Sequence, residues 1–160
     1  RWHLLHRLSV LGGADAADID AETRADPSAR GAELAESCRA ALPDAEAKER
    51  AWRRITAEPE VSAQLASAAA SGFWQPGQEE FTDAYVPRYF DEIAAATRDR
   101  GQFAVMRIGA SAFPRLAVAP ETLERARDLA CRDDVDDILR RAIVDAADGV
   151  RVALEVRAMG

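Results

Sequence analysis

With 160 residues, the chain is long enough for one hydrophobic core, so we expect a single helical domain over residues 1–160. Acidic residues number 28 against 21 basic ones, and the net charge of −7 argues against a nucleic-acid-binding module, which usually presents a basic face. No apolar run approaches the roughly 20 residues of a membrane span, and no signal peptide is visible. We therefore expect a cytoplasmic protein with no nucleic-acid and no membrane partner.

The first half of the chain shows apolar residues with a period near 3.6, which predicts helices. A first helix covers about residues 1–11 and ends at Gly12-Gly13, and a short second helix follows around residues 18–24. Asp26-Pro27, Pro43-Asp44 and Glu58-Pro59 each predict the start of another helix, with Asp26 as the N-cap of the first of these. The three prolines are sixteen positions apart, so helix pairs would recur at a regular spacing.

The second half continues the pattern after a turn at Gln75-Pro76-Gly77. A longer helix, kinked at Pro87, contains Phe81, Tyr85, Tyr89 and Ile93. Two further helices cover residues 101–112 and 122–132, and a last helix starts near Asp134. Short connections between helices favour antiparallel neighbours. The predicted fold is all-α, with stacked antiparallel helix pairs forming an α-solenoid (HEAT/armadillo-like) superhelix.

Few residues in the sequence are candidates for catalysis or metal binding. His3 and His6 are spaced i,i+3 with no acidic third ligand nearby, so we do not assign them to a metal site. Ser111 lies in a Gly-x-Ser pattern without the final glycine, and no histidine follows it, so it is not assigned as a nucleophile. Cys38 and Cys131 are interpreted as small buried hydrophobic residues, with a disulfide or a metal site as the alternative. The chain by itself therefore offers no catalytic residue and no metal ligand.

The most informative segment is GFWQPGQEEFTDAYVPRYF, residues 72–90. We expect Phe73 or Trp74 to fill the core, while Gln75 and Gln78 hydrogen-bond backbone groups around the turn. The alternative is that this turn faces a ligand cavity.

Six stretches, taken in order, resemble the C-terminal helical domain of the actinobacterial branch of the aminopeptidase N family, the zinc-dependent gluzincin aminopeptidases. They are WHLLHRLSVLGG, DAADIDAETRADPSARG, LPDAEAKERAWRRI, SGFWQPGQEEFTDAYVPRYF, IGASAFP followed by PETLERARDL, and DILRRAIVDAADGVRVALEVRA. The likeness covers almost the whole chain. Its most specific parts are the patterns PDAEAK–AW and GF-Q-P-x-Q.

This resemblance implies a non-catalytic domain from the C-terminal end of a larger multidomain enzyme that removes N-terminal residues from peptides. The family's zinc ligands, a His-Glu-x-x-His motif and a downstream glutamate, belong to a separate catalytic domain, so zinc would be bound there and no cofactor would be bound by this chain. The helical domain would partner the catalytic domain of the same polypeptide, enclose the substrate channel and control peptide access. Gln75, Gln78, Tyr85 and Arg107 are the candidates for contact with the peptide substrate, since such side chains hydrogen-bond a peptide backbone or terminus.

Two other functions remain open at this point: a free-standing helical-repeat adaptor that binds a partner protein, and a helical ligand-binding domain of a transcription regulator. An adaptor would have its native start near Arg1, and a regulator would carry a basic helix-turn-helix upstream. The aminopeptidase hypothesis instead predicts an apolar or mixed docking surface on the first helices.

Overall fold

A computed structural model describes residues 1–58 and 60–159, and these residues form ten α-helices and no β-strand. The all-α prediction is confirmed. The helices form two units, Arg1–Thr82 and Asp83–Gly160. The first unit contains α1 (Trp2–Val10), α2 (Ala16–Ala25), α3 (Ala29–Ala40), α4 (Ala45–Thr56), α5 (Ala63–Phe73) and α6 (Glu79–Thr82). The second unit contains α7 (Tyr85–Thr97), α8 (Gln102–Ser111), α9 (Pro120–Ala130) and α10 (Asp137–Met159).

Local sequence signals set most helix starts in the first unit. Asp15 and Asp18 form a capping box at the start of α2, and the side chains of Asp44 and Ser62 accept hydrogen bonds from the first turns of α4 and α5. The stop at the end of α1 is also confirmed, because Gly12 adopts a φ of 69°, a conformation that favours glycine.

The predicted N-cap at Asp26 is wrong. Ser28 caps α3 by accepting a hydrogen bond from the backbone N–H of Gly31. The carboxylate of Asp26 instead accepts hydrogen bonds from Ser28 and, at 2.8 Å, from the indole Nε1 of Trp2 on α1. Because Asp26 binds Trp2, the N-cap of α3 is Ser28, two residues after the predicted position.

The predicted kink at Pro87 is also wrong. The helix expected to contain Pro87 is two helices, α6 and α7, and Pro87 is the third residue of α7. Because the first four N–H groups of a helix have no partner within the helix, a proline there disturbs no helical hydrogen bond. The last helix starts at Asp137 rather than near Asp134, with the side chain of Asp136 accepting from the N–H groups of Ile138 and Leu139.

In the first unit, α3 is the central helix and packs against α1, α2, α4 and, most extensively, α5. The approach of α3 and α5 is close because the contact is made by small residues: a Cβ added at Gly72 would collide with the carbonyl oxygen of Ser37 and would reach the Cβ of Ala40 at 3.1 Å. Ile19, Ala35 and Cys38 lie in the adjoining core, and Trp2 and Leu5 of α1 pack against it.

In the second unit, α10 packs against α8 and α9. The hydroxyl of Tyr89, fully buried on α7, donates to the carbonyl oxygen of Gly109 on α8 at 2.7 Å. Arg140 of α10 donates to the carbonyl oxygens of Ala130, Arg132 and Val135, so a cation covers the C-terminal end of α9.

Two expectations concern more than single helices. Pro59, the third of the regularly spaced prolines, lies outside the described residues. The stacking of helix pairs into a superhelix involves both units together and stays a prediction.

None of the helices in the described part of the chain combines the length and apolar character needed to cross a membrane.

The close approach of α3 and α5 yields a prediction. Gly72→Ala forces these helices apart and lowers the free energy of unfolding by about 2–3 kcal/mol. Gly149→Ala is the matched control, because Gly149 lies inside α10 with open space around its Cα; it raises the free energy of unfolding by about 0.5–1 kcal/mol through helix propensity. Urea unfolding followed by circular dichroism measures the free energy of unfolding of both variants. Equal changes relative to the natural chain would contradict the close packing of α3 and α5.

Candidate functional site

The four candidate channel residues are distributed over both units. Gln75 and Gln78 lie in the first unit, in the connection between α5 and α6. Tyr85 begins α7 and Arg107 lies on α8, both in the second unit.

Gln78 is buried, with 2% of its surface exposed. Its side-chain Nε2 donates to the carbonyl oxygens of Val10 and Ala41, each at 2.9 Å. Val10 is the last residue of α1 and Ala41 follows the last residue of α3, so this one amide joins the ends of two helices. The Oε1 of Gln78 is buried and has no hydrogen-bond partner among the described residues.

Lys48 lies beside the same end of α3 and is fully buried. Its Nζ donates to the carbonyl oxygen of Ala40 at 2.7 Å and to that of Phe73 at 2.9 Å, which are the last residues of α3 and α5. The ammonium group also lies 5.4 Å from the centre of the Phe73 ring. Gln75 completes the arrangement, because its Nε2 donates to the carbonyl oxygen of Gly72 at 2.9 Å.

We call this arrangement the carbonyl cluster. It consists of three side-chain donors and the five backbone carbonyl groups that they bind at the ends of α1, α3 and α5: Lys48, Gln75 and Gln78 with the carbonyls of Val10, Ala40, Ala41, Gly72 and Phe73.

The electrostatics of the carbonyl cluster favour a cation. The last carbonyl groups of a helix have no partner within the helix and carry its partial negative charge. An ammonium at the ends of α3 and α5 therefore satisfies two acceptors and meets a favourable field. Burial nevertheless lowers the pKa of Lys48 from its usual 10.5 to about 8, with the carboxylate of Asp44 acting in the opposite direction. The pKa of His6 is lowered as well, first by burial and then by His3 and Lys48.

Three aromatic side chains pack against one another beside the carbonyl cluster. The rings of Trp52 and Phe73 are 5.3 Å apart and tilted, and Trp74 meets Phe73 edge-on at 4.9 Å. All three side chains are at most 2% exposed. The expectation that Phe73 or Trp74 fills the core is confirmed, and both residues do so.

The interpretation of the two glutamines as partners of backbone groups is confirmed by their hydrogen bonds. The role of Lys48 was missed from the sequence. A signal was present, since Lys48 is the only lysine in the chain and is spaced i,i+4 and i,i+7 from Trp52 and Ile55, on the buried face of α4. A lysine on an apolar stripe indicates a buried cation with specific acceptors.

In the second unit, the two candidates differ in accessibility. Tyr85 is 8% exposed, and the guanidinium of Arg88 lies 4.8 Å from the centre of its ring. Arg107 is half-buried, and its guanidinium lies 5.5 Å from the ring centre of Phe103, which is itself 62% exposed. Arg107 therefore presents a charged group beside an open aromatic surface.

Two grooves border α10 in this unit. One, of about 620 Å³, lies between α9 and α10 and has Arg127, Val144 and Arg151 in its lining. The other, of about 410 Å³, lies between α8 and α10 and includes Phe103 and Met106. The four candidate channel residues do not line either groove.

The described residues contain no group of three histidine, cysteine, aspartate or glutamate side chains that could hold a metal ion. These residues therefore offer no ligand set of the kind that zinc requires. Both cysteines are free thiols; Cys38 is buried as expected, and burial raises its pKa to about 11. Cys131 is exposed, so its interpretation as a buried residue is wrong.

Comparison with known proteins places these helices in a family. The family model for the ERAP1-like C-terminal domain matches residues 1–152, and the chain belongs to this family of helical domains. The chain is also similar to Aminopeptidase N of Streptomyces lividans, with 28% identity over 158 residues. This alignment covers 99% of the chain but 18% of the relative, so the chain spans about a fifth of that protein's length. The resemblance found in the sequence is confirmed.

The lowered pKa of Lys48 yields a pH-dependent prediction. Between about pH 8 and pH 10.5 the unfolded chain holds a proton on Lys48 that the folded chain has released, so the stability contributed by this residue rises with pH across that window. The free energy of unfolding of the natural chain minus that of Lys48→Met is therefore constant below pH 7 and increases above pH 8, by on the order of 2–3 kcal/mol over the full window. Denaturant titrations at a series of pH values measure this difference.

The control is Arg53→Met, on the exposed side of the same helix. The difference in free energy of unfolding between the natural chain and Arg53→Met should not change over the same pH range. The rise in the pKa of Cys38 is common to all three proteins and cancels in the differences. A flat difference for Lys48→Met would show that Lys48 is not desolvated in the folded chain.

Proposed function

We propose that this chain is the non-catalytic helical domain at the C-terminal end of a zinc aminopeptidase that removes N-terminal residues from peptides. The observation that carries the proposal is the match of residues 1–152 to the ERAP1-like C-terminal domain, together with an aminopeptidase relative of which the chain spans 18%. In this proposal, residues 1–160 form one domain of a multidomain polypeptide. Its partners are the catalytic domain of that polypeptide and the peptide substrate.

The role of such a domain is to enclose the active-site channel and control peptide access. Because the described residues contain no group that could bind zinc, the zinc ligands of the proposed enzyme lie in another part of the polypeptide. There the metal would polarise the scissile peptide bond and activate water. Enclosure by the helical domain would reduce the access of bulk water and of folded proteins to that chemistry.

The candidate channel residues have two kinds of role in this proposal. Arg107 and Gln75 are partly exposed, so their polar groups are placed to contact a peptide. Gln78 is buried and holds the backbone at the ends of α1 and α3, and Tyr85 is buried against the guanidinium of Arg88. A cytoplasmic location is part of the proposal, supported by the two free thiols, as reducing compartments maintain them.

The first test compares residues 1–160 with the complete polypeptide. The complete polypeptide is expected to bind about one zinc ion per chain and to hydrolyse aminoacyl anilides, and a chelator is expected to abolish this activity. Residues 1–160 alone are expected to do neither. Metal analysis and anilide hydrolysis on a panel of N-terminal residues measure both properties.

Two results would contradict the proposal: stoichiometric zinc or anilide hydrolysis in residues 1–160, or inactivity of the complete, zinc-loaded polypeptide on the whole panel. Inactivity combined with tight binding of an unrelated protein would favour the adaptor instead.

The second test concerns Arg107 in the complete polypeptide. Arg107→Ala is expected to raise the KM for longer peptides about tenfold, because a charge-assisted hydrogen bond to the peptide is lost. The KM for aminoacyl anilides, which lack the rest of a peptide chain, should stay unchanged. Arg115→Ala, an exposed arginine in the same unit, is the control and should change neither value. Equal effects of Arg107→Ala on long and short substrates would remove Arg107 from the channel.

A further inference from the structure

The first helix has an apolar outer face. Leu4, Leu8 and Leu11 follow the i, i+4, i+7 spacing of one helix face and are 66%, 47% and 75% exposed. The opposite side of α1 carries Trp2 and Leu5, which pack against the core of the first unit. The helix is therefore apolar on two sides, although only one side has a partner among the described residues. We call Leu4, Leu8 and Leu11 the leucine stripe.

The charge around the leucine stripe is opposite in sign to the net charge of the whole chain. The chain has a net charge of −7, yet residues 1–13 contain two arginines and two histidines and no acidic residue. His3 and Arg7 are exposed and lie along one border of the stripe. An apolar stripe with a basic border is complementary to an aliphatic surface bordered by aspartate or glutamate.

The proposed function supplies a candidate partner for the leucine stripe. The matching family is described as a C-terminal domain, and the chain spans 18% of Aminopeptidase N from Streptomyces lividans, so in the proposed function this domain follows other parts of a longer polypeptide. In a chain of short helices with short connections, a helix packs most often on its neighbour in sequence. In the proposed multidomain polypeptide, the sequence neighbour of α1 on its N-terminal side would be the segment that leads into Arg1.

We propose that the leucine stripe is the docking surface for the segment that immediately precedes Arg1 in the complete polypeptide, and that this segment is an amphipathic helix with an aliphatic face bordered by acidic residues. The inference rests on the proposed function in one respect, namely that the chain belongs to a longer polypeptide. It adds the residues of the contact and the chemistry of the partner. Docking there would attach the first unit rigidly to the part of the enzyme that precedes it.

The test measures how fast a thiol on the stripe reacts with N-ethylmaleimide. Cys131→Ser removes the exposed natural thiol, and Cys38 is buried. In this background, Leu4→Cys and Leu8→Cys report on the leucine stripe. Arg30→Cys is the control, because the Arg30 side chain is 71% exposed and lies on α3 of the same unit. Each variant is made in residues 1–160 and in the complete polypeptide.

In residues 1–160, all three introduced thiols are expected to react at similar rates. In the complete polypeptide, the thiols at positions 4 and 8 are expected to react at least about 50-fold more slowly, since reaction then requires local opening of the contact, while the thiol at position 30 stays fast. The upstream coding sequence should show apolar residues at helical spacing with flanking aspartate or glutamate.

Three outcomes would overturn the inference. Fast reaction at positions 4 and 8 in the complete polypeptide would show that the stripe is open to solvent. Slow, concentration-dependent reaction in residues 1–160 would show that a second copy of the chain covers it. An upstream segment without an amphipathic helix would remove the proposed partner.

Anilide hydrolysis by the same preparations separates this inference from the proposed function. An active enzyme with a reactive stripe contradicts only the docking surface, and an inactive polypeptide with a protected stripe contradicts only the proposed activity.

Discussion

The first unit depends on one constraint: the C-terminal ends of α1, α3 and α5 come together, and their last carbonyl groups need donors where water does not reach. Carbonyl groups at helix ends have no partner within the helix, and leaving several of them buried and unpaired would cost more than a small domain tolerates. Lys48 supplies an ammonium to two of them, and Gln78 supplies an amide to two more. Because these donors come from α4 and from the turn after α5, satisfying the carbonyls also determines where α4 and the turn lie.

The two most specific patterns in the sequence supply these donors. PDAEAK–AW carries the N-cap Asp44, the buried Lys48 and Trp52, which packs on Phe73. GF-Q-P-x-Q carries Phe73, whose carbonyl binds Lys48, and both glutamines. The patterns lie far apart in sequence but meet in one cluster, so a change in either leaves the groups of the other unpaired. This mutual dependence is a physical reason for the two patterns to occur together in one chain.

Local rules account for much of what the sequence predicted. The helical periodicity, the stop at Gly12 and the helix start at Pro43-Asp44 each depend on residues within one turn of each other, and each is found in the structure. The predictions are wrong in two situations. In one, a side chain distant in sequence binds the predicted capping residue; in the other, the effect of a proline depends on its position within the helix. Asp26 is engaged by Trp2 across 24 residues, and Pro87 falls in a first turn, where it is harmless. The burial of Lys48 follows from carbonyls on two other helices, which a one-dimensional pattern specifies only indirectly.

In the proposed function, a domain of this kind would contribute through shape and attachment, since its buried donors Lys48 and Gln78 are engaged with its own backbone. The ammonium of Lys48 is enclosed, so its chemistry is directed at helix ends rather than at a substrate. The hydrogen bonds to helix-end carbonyls fix the relative positions of α1, α3 and α5 more specifically than apolar packing alone. Hydrogen bonds are directional, whereas contacts between alanine side chains are not. Since α1 is held from inside by Gln78 through Val10 and by the indole of Trp2, its leucine stripe is presented outward on a rigid support. The same cluster that stabilises the first unit thereby defines the surface through which that unit would be joined to a larger enzyme.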